Sequence, residues 1–182
     1  MNLLGTKTLE SERLILRKFV IDDAEDMFNN WASDDEVTKY LTWPTHASID
    51  VTKFVLNDWI ANYEKNDFFN WAIELKETGK VIGNISVVRI NENVLSADIG
   101  YCMSRPLWGN GIMPEALKTV LDFLFNEVEF NRIVACHDIA NPKSGRVMEK
   151  VGMKYEGVLR QAGKNNRGII DEVWYSILKA DL

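Results

Sequence analysis

Residues Asp98–Leu117 read DIGYCMSRPLWGNGIMPEAL. The first part alternates like a half-buried strand. Two glycines, Gly109 and Gly111, follow. From Met113 the apolar residues Ala116, Leu117, Val120, Leu121 and Leu124 then step by three and four, which is one buried helical stripe. Pro114 suits the first helical position, where its missing N–H is not needed. The chain therefore passes from strand to helix through a glycine turn. The first turn of a helix carries unpaired N–H groups and about half a positive charge, and glycine lets a ligand come close to the backbone. Such a junction can cradle phosphate; a plain tight corner is the alternative. The turn lacks the GK[ST] ending of a P-loop, and proline at position 114 breaks GxGxxG, so neither nucleotide fingerprint applies.

Outward from this stretch, Arg13–Phe19 reads as a strand and Ile21–Ala32 as a helix headed by Asp22 and Asp23. Asp34–Ser48 reads mostly as loop, broken at Pro44, and Ile49–Lys65 as a second helix. Phe68–Lys76, Val81–Ile90 and Leu95–Met103, joined by short turns, form an antiparallel meander. After the long helix, which runs to about Glu127, come a strand at Arg132–Asp138 and a short helix at Asn141–Gly152. Strands at Lys154–Ala162 and Asp171–Lys179 close the chain. The fold class is α+β: one domain over 1–182, a mixed, mostly antiparallel sheet with helices on both faces.

The composition excludes several classes. No stretch approaches the roughly 18 apolar residues of a membrane helix, and the N-terminus does not read as a signal peptide. Cys102 and Cys136 are the two cysteines, and neither has a CxxC partner, which fits a cytoplasmic setting and argues against structural zinc. The net charge is -6, and 13 acids against 7 bases in residues 1–67 account for all of it. That argues against nucleic acid as a partner and favours a cationic one near the N-terminal third, unless the charge serves solubility alone. Exposed strand edges at the C-terminus can support a homodimer.

Two motifs and the ending carry a family resemblance. Asp98–Leu117 resembles the acetyl-CoA pyrophosphate motif of the GNAT superfamily of N-acetyltransferases, and Asn141–Arg160, NPKSGRVMEKVGMKYEGVLR, resembles its second cofactor motif. Gly168–Leu178, GIIDEVWYSIL, resembles the RimJ/RimL-like branch, which includes acetyltransferases of ribosomal-protein N-termini. The resemblance implies a splayed central strand pair into which coenzyme A inserts, pairing with the backbone of Tyr101, Cys102 and Met103. The consensus turn Q/R-x-x-G-x-G/A aligns with Trp108, Gly109, Asn110, Gly111, Ile112 and Met113. Trp108 stands for Gln/Arg, and Met113 replaces a small residue, where it is expected to crowd the site.

Asn141 and Ser144 match the family's NxxS. Asn141 also reads as a helix cap before Pro142. By resemblance Ser144 contacts the leaving thiolate, a role that otherwise falls to a tyrosine at the position of Met148. Lys143, Arg146 and Lys150 share one helix face, either against the cofactor's 3′-phosphate or in solvent.

For the acceptor side, Asp98 is the first candidate to take or relay the amine proton. His137 is the second, with a hydrogen-bonded core histidine as its alternative. Trp43 and His46 resemble residues of the branch that wall the acceptor pocket. The expected activity is direct acetyl transfer from acetyl-CoA to a primary amine, with a protein N-terminal α-amine favoured and no metal. A polyamine or aminoglycoside-like acceptor, or a non-catalytic acetyl-CoA-binding module, are the alternatives.

Overall fold

A computed structural model describes residues 1–182. Eight strands form one sheet: β1 (Leu9–Glu10), β2 (Leu14–Arg17), β3 (Asn70–Leu75), β4 (Lys80–Asn91), β5 (Ser96–Met103), β6 (Arg132–Asp138), β7 (Lys154–Asn165) and β8 (Gly168–Leu178). Their order across the sheet is β1-β2-β3-β4-β5-β6-β8-β7. Every neighbouring pair is antiparallel except β5 and β6, which run parallel. The expected meander is β3-β4-β5.

The helices are α1 (Ala24–Met27), α2 (Asp35–Thr38), α3 (Ile49–Asn62), α4 (Ile112–Asn126) and α5 (Pro142–Lys150). The stretch expected as one helix at Ile21–Ala32 divides into a 3₁₀ turn, α1 and a π-helical turn at Phe28–Ala32. Helix α4 presents its predicted stripe, Met113 through Leu124, to the larger core cluster together with Leu14, Trp71, Ile85 and Ile133. Phe19, Met27, Trp31 and Leu56 form the smaller cluster with Ala72 and Val81, so helices cover both faces.

Two expectations about α4 change. The helix begins at Ile112, with Gly111 as its left-handed N-cap at φ 73°, so Pro114 is the third helical residue and not the first. Proline is still tolerated there, because the N–H groups of the first turn have no partner inside the helix. Met113 is 4% exposed and points into the core, so it does not crowd the turn.

Candidate active site

The parallel ladder between β5 and β6 covers only Ser96–Asp98 against Arg132–Val134. Beyond it the two strands part. Strand β5 stays paired with β4 through Met103, and β6 stays paired with β8 through Asp138. A wedge-shaped gap therefore opens after Asp98 in the middle of the sheet, the splay that the resemblance implies.

The phase of the β4–β5 ladder shows which groups face the gap. The Ser104 N–H donates to the Ile82 carbonyl at 2.8 Å. Bonding direction alternates along an antiparallel strand, so Cys102 and Gly100 bond towards β4, and the main chains of Tyr101 and Met103 face the gap. The Met103 carbonyl already accepts the Trp108 indole N–H at 2.9 Å. Trp108, in place of the family's Gln/Arg, thus folds back onto the mouth of the gap, and the Lys143 ammonium lies 5.3 Å from its ring centroid. This cation–π contact joins the glycine turn to the first turn of α5.

The turn itself is open. Gly109 and Gly111 have φ of 84° and 73°, and a Cβ on Gly109 would meet nothing within 4 Å. Gly111 receives no side-chain cap, so the N–H groups of Ile112 and Met113 are free of one. The turn is held by Arg13, the residue before β2: its Nη1 donates to the Asn110 carbonyl at 3.1 Å, and its Nε to Glu115 at 2.6 Å. The residues fit a phosphate group: unshielded backbone donors at a helix N-terminus, with no side chain in the way.

Across the gap, the Tyr101 hydroxyl donates to the Ser144 carbonyl at 2.8 Å and accepts from the Ser144 hydroxyl at 3.2 Å. Asn141 occupies the N-cap position of α5 with Pro142 after it, but its side chain caps nothing. Met148 is 1% exposed within the core. Arg146 and Lys150 are exposed with Lys143, so that stripe faces solvent apart from the contact with Trp108.

The opposite face of the gap carries the carboxylates. Asp98 Oδ2 is bound by Arg89 Nε at 2.8 Å and by its Nη2 at 2.5 Å. Glu172, which no sequence motif marks, stands near Cys136 together with Asp98. Its Oε2 accepts the Trp174 indole N–H at 3.0 Å, and its Oε1 lies where a Cβ on Gly163 would be, 2.2 Å away. Glycine at 163 makes room for that carboxylate. The alternation of Glu172, Trp174 and Ser176 along β8 was the available signal.

Cys136 is exposed, but partial desolvation first, and then the carboxylates of Glu172 and Asp98, push its thiol up to about 12. Burial likewise pushes Cys102 up to about 12. Both thiols are protonated at neutral pH and are poor nucleophiles.

His137 lies on the other face, stacked on Tyr175 at 5.9 Å. Its Nδ1 bonds to the Asp138 carbonyl at 2.8 Å, which makes it the packed core histidine of the two readings. His46 is buried, with Nδ1 on the Thr52 hydroxyl at 2.8 Å and Trp43 against its ring at 5.2 Å. Burial lowers its pKa below the ordinary histidine value. His46 thus packs between Thr52 and Trp43, and Trp43 is half-buried beside it.

An acetyltransferase (GNAT) domain model matches residues 13–154. An uncharacterized N-acetyltransferase of Bacillus licheniformis, p20, is 33% identical over 178 residues, which is 96% of this chain and 98% of that one. The ribosomal-protein-serine acetyltransferase of Escherichia coli is 34% identical over 83 residues, 46% of each chain. The crystal structure of a GNAT-family acetyltransferase from Bacillus anthracis superposes with a TM-score of 0.84 at 27% identity, covering 96% of this chain and 99% of that one. No helix is long and apolar enough to cross a membrane. With the glycine turn, the parted strands and a match across most of its length, the chain belongs to the GNAT family of N-acetyltransferases.

Proposed function

We propose that this acetyltransferase moves acetyl directly from acetyl-CoA to a primary amine, and that a protein N-terminal α-amine is the favoured acceptor. The observation that carries the reading is the gap between β5 and β6, with the Tyr101 and Met103 main chain facing it at the foot of the open glycine turn. Acetyl-CoA, when bound, supplies the activated thioester. The Gly109–Met113 turn supplies backbone donors for its phosphates. A main-chain N–H facing the gap, from Tyr101 or Met103, is placed to stabilise oxyanion charge as it develops at the thioester carbonyl. Ser144 presents a hydroxyl to the departing sulfur.

On the other face, Asp98 and Glu172 are the groups that can take the amine proton, directly or through water. Each carboxylate keeps one oxygen free, but Asp98 is ion-paired with Arg89 whereas Glu172 accepts only the neutral Trp174 indole N–H, so Glu172 joins Asp98 as a candidate. With both thiols protonated at neutral pH, transfer without a covalent enzyme intermediate is the simpler route.

An N-terminal α-amine titrates near 8 and a polyamine amine near 10, so a weak carboxylate base suits the first better. The name of the Escherichia coli relative and the acidic N-terminal third support the same class. The test is release of coenzyme A thiol from acetyl-CoA against ribosomal N-terminal peptides, polyamines and aminoglycosides. Release with the peptides alone upholds the reading. Release with the small amines alone replaces the acceptor. Binding of acetyl-CoA without release from any of them leaves a binding module.

A further inference from the structure

Tyr101 leaves β5 where that strand has parted from β6, and its side chain spans the gap to the first turn of α5. Its hydroxyl and Ser144 are tied in both directions, O–H to carbonyl at 2.8 Å and Ser144 hydroxyl to phenol oxygen at 3.2 Å. The phenol is the one side-chain partner of the Ser144 hydroxyl. One turn further along α5 stands Met148, buried and unable to donate a proton. Burial also raises the phenol above its ordinary pKa, so it stays neutral and keeps both bonds across the physiological range.

Resting on the proposed acetyl transfer, we propose that Tyr101 is a positioning residue for it: its hydroxyl holds the Ser144 O–H at the gap, ready to turn onto the sulfur that leaves. Transfer forms the C–N bond and breaks the C–S bond, and the electron pair of the latter stays on sulfur. The acceptor, arriving as an ammonium, sheds two protons; one ends on that sulfur and one in solvent. Ser144 loses no proton in this balance. Its O–H rotates from the phenol to the sulfur, donates a hydrogen bond while charge is there, and returns. The bond from Tyr101 to the Ser144 carbonyl persists throughout and fixes the helix against the strand. A donor held beside the developing charge, needing only a turn of its O–H, is worth more than one that must be recruited from solvent.

Tyr101→Phe keeps the ring and removes the tie, and Ser144→Ala removes the donor itself. Each is expected to lower kcat about tenfold or more, with KM for acetyl-CoA within about twofold of wild type. Because the two act as a unit, the double variant should be no slower than the slower single one. Urea midpoints of all three proteins separate this from a folding defect. If Tyr101→Phe destabilises the protein, the Ser144→Ala kcat and the double-variant comparison decide. A Tyr101→Phe protein at the wild-type kcat, or losses that multiply in the double variant, overturns the proposal while the transfer reading stands. A wild-type protein that releases coenzyme A to no amine overturns both.

Discussion

The Arg13 Nε lies 2.6 Å from the Glu115 carboxylate, which joins the start of β2 to the first turn of α4. Glu115 also accepts from the Ser11 hydroxyl at 2.6 Å and the Arg13 N–H at 2.8 Å. Arg13 in turn holds the Asn110 carbonyl inside the glycine turn. The glycine turn is thus shaped by a residue at the edge of β2, about one hundred residues away. Glu115→Ala should cost about 1–2 kcal/mol of stability, since it strips one carboxylate from several donors. It should also raise KM for acetyl-CoA more than it lowers kcat. Urea unfolding and steady-state kinetics check both.

The same pair sets a pH dependence. Burial alone would raise the Glu115 pKa, but the bonds from Ser11 and Arg13 outweigh it and hold the carboxyl below the ordinary glutamate value. A folded pKa depressed in this way stabilises the protein above the unfolded value of about 4.3 and is lost as pH falls through the folded one. Glu115→Gln should therefore flatten the acid limb of stability against pH and leave the slope near pH 7 as it is in wild type. An unchanged acid limb would assign that slope to other carboxylates, such as Asp138, which in spite of its burial is held low by the Ala140 N–H, Asn165 and Arg167.

Trp108 offers a direct readout of the proposed cofactor site. Its indole N–H is spent on the Met103 carbonyl and its face on Lys143. A phosphate arriving at the turn competes for Lys143, and a chain entering the gap meets the Met103 carbonyl. Acetyl-CoA should therefore change the tryptophan fluorescence of wild type, and Trp108→Phe should abolish most of that change while binding persists. Titrations of the two proteins decide it. An equal change in both would place the cofactor away from this residue.

Much of this could be read from local pattern. The stripe of α4, the glycine turn and the strand at Arg132–Asp138 follow from periodicity and turn chemistry, and the structure has that strand at the same residues. The register at which β5 leaves β6 has no local signature, and neither do Arg13–Glu115 or Tyr101–Ser144, whose partners are 102 and 43 residues apart. Strand β7 runs past Ala162 to Asn165 because Gln161, at φ 51°, sits in a bulge whose N–H is taken by the Asp171 carboxylate. Bulges restart pairing in ways that alternation does not foretell. Asn141 had the right neighbours for a cap, but sequence does not fix its rotamer.

Gly145 is in van der Waals competition with His137. A Cβ at 145 would lie 2.6 Å from His137 Nε2, and the ring is pinned through Nδ1 and by Tyr175. Gly145→Ala should therefore destabilise by about 1–3 kcal/mol, as overpacking does. It should lower turnover too, because Ser144 is the adjacent residue. His137→Ala in the same chain should restore part of the stability by emptying the space. If Gly145→Ala is as stable as wild type, α5 can shift off the sheet without cost, and His137 is not its seat.

The loop between α2 and α3 is tied by the β7–β8 turn. Asn166 Nδ2 donates to the Thr38 carbonyl at 2.9 Å and to that of Trp43 at 2.8 Å, and its own N–H donates to Leu41 at 3.2 Å. Arg167 lies over the Tyr40 ring at 5.6 Å and pairs with Asp138 at 2.9 Å. The loop between α2 and α3 therefore hangs from the end of the sheet. The resemblance sets this loop, through Trp43 and His46, against the acceptor, and the turn that holds it is remote in sequence from the glycine turn. Asn166→Ala releases two carbonyls at once. KM for the amine should rise several-fold while KM for acetyl-CoA stays put, with a loss of about 1–2 kcal/mol in stability. Varying each substrate against a saturating level of the other separates the two constants. If both rise together, the loop shapes the cofactor slot instead, and the acceptor must enter elsewhere.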